Sequence, residues 1–95
     1  MKDWDFLTPH ARALLYIAHD SGARLRDLAE ALGVTERTAH GLVADLTEAG
    51  YVVKEKEGRR NRYYIQEGLP LRSSIGRERT IGEVLALFVV PGGDT

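Results

Sequence analysis

The chain has 95 residues and a mass of 10.6 kDa, enough for one modest hydrophobic core and too short for two domains. It contains no cysteine, which excludes disulfides, thiolate zinc sites and cysteine nucleophiles. Its longest apolar run, residues 84–90, is far shorter than the roughly 18 to 20 residues that cross a bilayer. Residues 1–6 lack the features of a secretory signal, so we expect a cytoplasmic protein with no membrane partner.

Positive charge is concentrated in one part of the chain. The net charge is −1, yet residues 51–80 carry eight basic and four acidic side chains. Arginine outnumbers lysine ten to three, and its planar guanidinium suits bidentate contacts with phosphates and base edges. The near-neutral average argues against a nucleic-acid partner, whereas the basic block favours one.

The first predicted element is an amphipathic helix. Thr8 is a preferred N-cap, and Pro9 fixes φ at the next position without removing a needed N–H donor. Apolar residues at helical spacing predict the buried face of helix 1, which ends at residues 20–22: Ala11, Leu14, Leu15, Ile17 and Ala18. Leucines of helix 1 and of the next two helices are expected to form a shared core: Leu14, Leu15, Leu28, Leu32, Leu42 and Leu46.

Two more helices follow, with a tight turn between them. Helix 2 begins near Leu25 and stops at Leu32, before Gly33, whose missing Cβ suits the left-handed residue that ends a helix. Helix 3 runs from about residue 36 to residue 49, with Thr35 as its N-cap. Its inward apolar positions are Ala39, Leu42, Val43 and Leu46.

From Val52 the helical period gives way to two short β-rich runs. Residues 52–57 and 62–66 flank a polar tip at residues 58–61, which predicts a β-hairpin of undetermined register. Tyr63 and Tyr64 are adjacent in the second run, so one is expected to face inward and the other outward.

A fourth helix is predicted over residues 80–90, after an extended connection over residues 67–79. Thr80 and Glu83 have the spacing of a capping box. The apolar face of this helix consists of Ile81, Val84, Leu85 and Phe88. Because an isolated helix of this length is marginal in water, the face needs a partner. The connection is long enough to carry the helix away from the first three helices, so the expected partner is a second copy of the chain.

Residues 25–42 have the pattern of a helix-turn-helix. Ala29 is small where two helices cross, and Gly33 lies in the turn between them. With the hairpin, residues 25–65 resemble the winged helix-turn-helix regulators of the MarR and ArsR type. The resemblance implies a single α+β domain over residues 1–95: a winged-helix core of three helices and a β-hairpin wing at residues 8–66, with an additional C-terminal helix.

The resemblance also implies a sequence-specific, double-stranded-DNA-binding transcriptional regulator. Helix 3 would lie in the major groove, and the wing at residues 58–62 would contact the backbone or the minor groove. The outward residues of helix 3 support this, since Arg37 can bond guanine and Gly41 permits close backbone approach. Glu36 and Asp45 argue against it, because both would face or flank a polyanion. The predicted DNA-binding residues are Thr35, Arg37, Thr38, His40, Gly41, Arg59, Arg60 and Arg62.

A homodimer is the expected assembly, since regulators with this motif typically read two half-sites. The first candidate interface is the apolar face of helix 4, formed by Ile81, Val84, Leu85 and Phe88. The second is formed by Trp4, Phe6 and Leu7. The alternative is that helix 4 packs on helix 1 of its own chain.

Two other classes of function stay open. A winged helix used only for protein interaction fits the near-neutral charge but not Arg37, Arg59 and Arg60. A small-molecule sensor needs a pocket, and a chain this short leaves only the crevice between two copies for one. The sequence identifies no effector. The three histidines lie on different elements and His10 is expected to be a plain surface residue, so we expect no metal or other cofactor. No serine or threonine has the neighbours of a nucleophile, so we expect no enzyme.

Overall fold

A computed structural model of the chain describes residues 4–88. The elements, in order, are α1 (Pro9–His19), α2 (Leu25–Leu32), α3 (Glu36–Glu48), β1 (Val52–Glu57), β2 (Arg60–Ile65) and α4 (Ile81–Ala86). Three helices, an antiparallel hairpin and a final helix form an α+β winged-helix fold, which confirms the predicted fold class. Within the described residues no helix has the length and apolar character needed to span a membrane.

The ends of the first three helices follow their local sequence signals. The Thr8 hydroxyl accepts a hydrogen bond from the backbone N–H of Ala11, and the Thr35 hydroxyl accepts one from that of Thr38, each at 3.1 Å. Gly33 ends α2 with a φ of 73°, a left-handed conformation that residues with a Cβ rarely adopt. The sequence therefore predicts the helix-turn-helix nearly to the residue.

The buried face of α1 differs from the predicted one. Ala13, Leu14 and Ile17 are buried, whereas Leu15 is only half-buried and Ala18 is exposed, and neither belongs to the core cluster. The reason is geometric: positions 10, 13, 14 and 17 form one helical stripe, and His10 at its start bonds to α3. The core cluster includes Ala13, Leu14, Ile17, Leu28, Ala29, Leu32, Ala39, Leu42, Val43, Leu46, Tyr51, Val52, Tyr63 and Ile81.

The hairpin turn is tighter than predicted. Val52 pairs with Ile65 at one end of the ladder and Glu57 pairs with Arg60 at the other, leaving a two-residue turn at residues 58–59. The expected four-residue tip is therefore wrong, because residues 60 and 61 belong to β2. Gly58 has a φ of 65°, as two-residue hairpin turns require. As expected, one of the adjacent tyrosines is buried and the other is exposed.

The segment before α4 is a closed loop and not an extended tether. Pro70 and Thr80 form an antiparallel bridge, and the backbone N–H of Ile81 donates to the carbonyl oxygen of Leu69 at 2.8 Å. The buried Tyr51, just after α3, donates its hydroxyl to the carbonyl oxygen of Pro70 at 2.6 Å. These bonds return the chain to the domain, so the prediction that the connection carries helix 4 away is wrong.

Close backbone contact fixes the start of α4. The N–H of Gly82 donates to the carbonyl oxygen of Glu67 at 2.9 Å. A Cβ at Gly82 would lie 2.8 Å from the Cβ of Glu67 and 3.0 Å from its carbonyl oxygen. Only glycine fits between α4 and the turn that follows β2.

The apolar face of α4 is divided between the core and the surface. Ile81 is buried in the core cluster and Leu85 packs against that cluster. These two residues therefore have a partner in their own chain, contrary to the expectation that the whole face lacks one. Val84 is half-buried. The helix ends at Ala86, earlier than predicted, so Phe88 lies in the turn beyond it and is 47% exposed. The last two residues of the predicted helix, 89 and 90, lie outside the described part of the chain.

Candidate nucleic-acid interface

The first two turns of α3 present a polar face to the exterior. Burial of four apolar residues on the opposite side fixes the orientation of the helix: Ala39, Leu42, Val43 and Leu46. Arg37, Thr38, His40 and Gly41 are consequently all exposed. Within residues 4–88 no carboxylate lies at ion-pair distance from Arg37. Its guanidinium is therefore available to another molecule.

Thr35 acts as a cap and positions Thr38. The Thr35 hydroxyl accepts from the backbone N–H of Thr38 and donates to the Thr38 hydroxyl, both at 3.1 Å. These two contacts already use the hydroxyl of Thr35, which was among the predicted DNA-binding residues. The Thr38 hydroxyl accepts in this arrangement, so its own proton is left to donate outward.

Gly41 has no steric role within the fold. It lies in the interior of α3, and a Cβ built on it meets nothing within 4 Å. Glycine in a helix interior is about 0.5 to 1 kcal/mol less favourable than alanine. The residue leaves the backbone of α3 uncovered beside Arg37 and Thr38, one turn along the helix.

Both acidic residues that argued against DNA binding have structural roles. Glu36 lies in the first turn of α3, where a carboxylate interacts favourably with the helix dipole. Asp45 lies 2.8 Å from His10, Oδ2 to Nε2, which joins α3 to α1. His10 is therefore not a plain surface residue. No local pattern indicates this pair, because 35 residues separate its members.

Two of the three wing arginines are attached to the loop between α1 and α2. Arg60 donates from Nη2 to the carbonyl oxygen of Gly22. Arg62 lies 3.0 Å from Glu57, Nε to Oε1, and donates from Nη1 to the Ser21 hydroxyl at 3.1 Å. Both side chains therefore have a partner within the chain, because alternate residues of β2 share a face and that face meets the loop. Arg59, in the turn, is exposed and has no carboxylate at ion-pair distance among residues 4–88.

Comparison with known protein families matches residues 4–62 to the MarR family. The chain belongs to the MarR family. The match spans the three helices and most of the hairpin. The loop that returns α4 to the domain lies beyond the matched residues. A search of curated proteins finds no match.

This MarR-family domain also has a basic notch between the wing and the loop that precedes α2. The notch has a volume of about 200 Å³ and is lined by Gly22, Ala23, Arg24, Arg59, Arg60 and Asn61. Arg24 was not among the predicted site residues, because only the folded chain brings it to the wing. Among the described residues no group of three or more His, Asp or Glu side chains is placed to hold a metal ion.

Proposed function

We propose that the chain is a sequence-specific, double-stranded-DNA-binding transcriptional regulator that places α3 in the major groove. The observation that carries this proposal is the outward face of α3. Arg37, Thr38 and Gly41 are exposed together on a MarR-family scaffold, and the fold uses neither the Arg37 guanidinium nor the space at Gly41. An α-helix fits the major groove, which is about 12 Å wide.

Each residue of this face has a distinct role in the proposed complex. Arg37 donates two parallel hydrogen bonds to O6 and N7 of a guanine, the commonest specific contact in the major groove. Thr38 meets a thymine methyl group or donates its hydroxyl proton to a phosphate. Gly41 lets the backbone of α3 approach the DNA closely, and His40 lies at the edge of the contact. The N-terminal end of α3 supplies a favourable dipole for a phosphate.

The wing supplies affinity that does not depend on sequence. Arg59 is the wing cation best placed for this role, because it is exposed at the turn and no described carboxylate pairs with it. Arg60 and Arg62 contribute mainly by holding the wing against the loop at residues 21–22.

The regulator is proposed to act as a homodimer, since two linked domains read two half-sites. With Ile81 and Leu85 packed inward, the exposed apolar residues here are Leu87 and Phe88, just beyond the end of α4, at 80% and 47% exposure. At the other end of the described chain, Trp4 and Phe6 form an exposed T-shaped pair with ring centroids 5.0 Å apart.

Sedimentation tests the dimer. We expect the wild-type chain to sediment as a dimer and Phe88→Asp to give a folded monomer, because the mutated side chain is already half exposed. Ile81→Asp is the contrasting variant and should unfold the domain. A wild-type chain that stays monomeric across the micromolar range would contradict the proposed assembly.

Selection of bound sequences from a random duplex pool tests the DNA-binding function. The proposal expects enrichment of a defined motif with two related halves, and preference for it over random duplex in anisotropy titrations. Binding that shows no preference among sequences would contradict sequence-specific recognition. No duplex binding at low salt would favour the alternative of a winged helix that binds only proteins.

A further inference from the structure

The geometry points to a second site: we propose that the basic notch beside the wing binds a phosphate group. Its donors would be Arg24, Arg59 and Arg60, with the Asn61 amide beside them. Where the phosphate belongs to a DNA backbone, the inference rests on the proposed function. Where it is a free phosphate, the inference stands independently of that function.

The notch is assembled from two distant parts of the chain. Gly22 and Arg24 come from the loop between α1 and α2, whereas Arg59 and Arg60 come from the hairpin turn and the start of β2. Ala23, between the first two, is 7% exposed, while all three arginines are exposed. A volume of about 200 Å³ is several times the roughly 30 Å³ that a water molecule occupies. This is room for a tetrahedral oxyanion.

None of the three arginines of the notch has an ion-pair partner among the described residues. Among residues 4–88, no carboxylate oxygen lies within 4.0 Å of the guanidinium nitrogens of Arg24, Arg59 or Arg60. Three other arginines do have such partners, namely Arg12, Arg62 and Arg79. Three like charges gathered around one concavity attract an anion.

The acidic residues closest to the notch in the chain bond its backbone or the wing, and none of them pairs with a notch guanidinium. Asp20 accepts a hydrogen bond from the backbone N–H of Gly22 at 3.2 Å. Asp27 accepts one from the backbone N–H of Arg24 at 3.3 Å. Glu57 pairs with Arg62. Each carboxylate therefore braces the walls of the notch or the wing instead of closing the notch.

The two walls are held together before any ligand arrives. The bond from Arg60 to the Gly22 carbonyl oxygen crosses from one wall to the other. The backbone N–H of Tyr63 donates to the carbonyl oxygen of Ser21 at 2.9 Å, and Arg62 bonds the Ser21 hydroxyl. The loop and the hairpin therefore form one unit, and a ligand does not have to order the notch. Such preorganisation reduces the entropic cost of binding.

The chemistry of the donors favours phosphate over other anions. A guanidinium has five N–H donors, and its planar fork matches two oxygens of a phosphate. Arg60 uses one nitrogen for Gly22 and keeps the remaining donors. The notch adjoins the turn that carries Arg59, so a DNA strand that contacts the wing passes close to Arg24. Arg24 then extends the phosphate contacts from the wing to the start of α2.

A charge-removing variant at Arg24 tests the site on DNA. Arg24→Gln in the full chain is compared with Arg77→Gln, which removes the same charge from the loop closed by the Pro70 to Thr80 bridge. Duplex affinity is measured by anisotropy over a range of salt concentrations. We expect the slope of log affinity against log salt to fall by about 0.9 for Arg24→Gln and not to change for Arg77→Gln. Circular dichroism is the check that both variants are folded.

A phosphate titration distinguishes the two sources of the ligand. Amide shifts of the wild-type chain are followed as inorganic phosphate is added across the millimolar range, with sodium chloride as the ionic-strength control. Saturable amide shifts at Gly22, Ala23 and Asn61 that are abolished by Arg24→Gln would assign the notch to phosphate. If no duplex binds in that case, the proposed function fails and the phosphate site stands. If Arg24→Gln changes neither the salt slope nor the titration, the notch is not a phosphate site, whatever the duplex affinity of the wild type.

Discussion

The outward face of α3 and the wing are both rich in polar side chains, but the fold uses them differently. On α3, the Arg37 guanidinium and the space beside Gly41 have no internal use. In the wing, Arg60 and Arg62 bond the loop between α1 and α2, and only Arg59 stands clear of such contacts. The difference shows that arginine content does not measure binding capacity. What matters is whether a guanidinium already has a partner in its own chain.

The outward face of α3 and the wing therefore contribute different kinds of binding energy. An arginine held by a rigid helix face can be aimed at a base edge and discriminate between bases. An arginine at a hairpin turn reaches the backbone, which is the same in every sequence. We therefore expect discrimination to depend on α3 and salt-dependent affinity to depend on the wing and the basic notch beside it.

The largest expected effect is that of Arg37→Ala on the preferred duplex. Loss of a bidentate guanine contact should weaken that complex by about 1 to 3 kcal/mol and relax one base position. Random duplex should be bound almost as well as before. Anisotropy titrations on the selected and random duplexes measure both quantities, with Arg77→Ala as the matched control. Equal weakening on both duplexes would make Arg37 a phosphate contact and remove the contrast between the regions.

A second comparison sets Arg62 against Arg59. Arg62→Ala breaks a half-exposed ion pair and the bond to Ser21, so it should reduce the free energy of unfolding by up to about 1 kcal/mol. Arg59→Ala should leave stability unchanged and lower the salt slope by about 0.9. Urea unfolding and salt-dependent anisotropy separate the two effects. If Arg59→Ala destabilised the fold as much as Arg62→Ala, both would be structural residues.

The Gly41→Ala variant should change stability and binding in opposite directions. Because nothing lies within 4 Å of the added Cβ, alanine should stabilise α3 by about 0.5 to 1 kcal/mol. The same methyl group should obstruct approach of α3 to DNA and weaken duplex binding. Thermal unfolding and anisotropy of one preparation measure both. Greater stability with unchanged affinity would show that DNA does not come close to this position.

The sequence predicted local features well and contacts between distant residues poorly. Caps and the turn glycine, such as Thr8, Thr35 and Gly33, act through neighbours within a few residues, so composition and spacing were sufficient. The His10 to Asp45 pair, the attachment of Arg62 to Ser21 and the place of Arg24 beside the wing depend on how separate elements pack. No spacing in the chain encodes those contacts.

The same limit explains the corrections to the C-terminal part. The connection over residues 67–79 contains no helical or strand period, and its length alone was compatible with an extended tether. Its actual course depends on single contacts, above all the Tyr51 hydroxyl on the Pro70 carbonyl oxygen and the fit of Gly82 against Glu67. Hence Ile81 belongs to its own core. For the same reason, the two-residue turn at Gly58 could be placed only once the strand register was known.

The smallest expected effect concerns Glu83. Like the guanidinium of Arg62, its carboxylate is already bonded to other groups of the chain. Its Oε1 accepts from the backbone N–H of Thr80 at 2.8 Å, and its Oε2 lies 3.4 Å from Nη1 of Arg79. The bond from the Thr80 backbone is the main reason that the pKa of Glu83 lies below its ordinary value, and the charge of Arg79 adds to it. Because the folded chain favours the ionised carboxylate, this group stabilises the fold above the pKa that it has in the unfolded chain. The stabilisation is lost as the pH falls through the folded pKa.

An NMR titration of the Glu83 side chain measures this pKa directly. Arg79→Ala should raise the pKa only part of the way towards its ordinary value, because the bond to the Thr80 backbone remains. Thr80→Ala should act differently: it removes the hydrogen bond that the Glu83 N–H donates to Thr80 Oγ1, and so weakens the start of α4. If Arg79→Ala alone restored the ordinary pKa, the ion pair and not the helix cap would hold this carboxylate. The contrast between polar side chains that are bonded within the chain and those that are not would then not extend to α4.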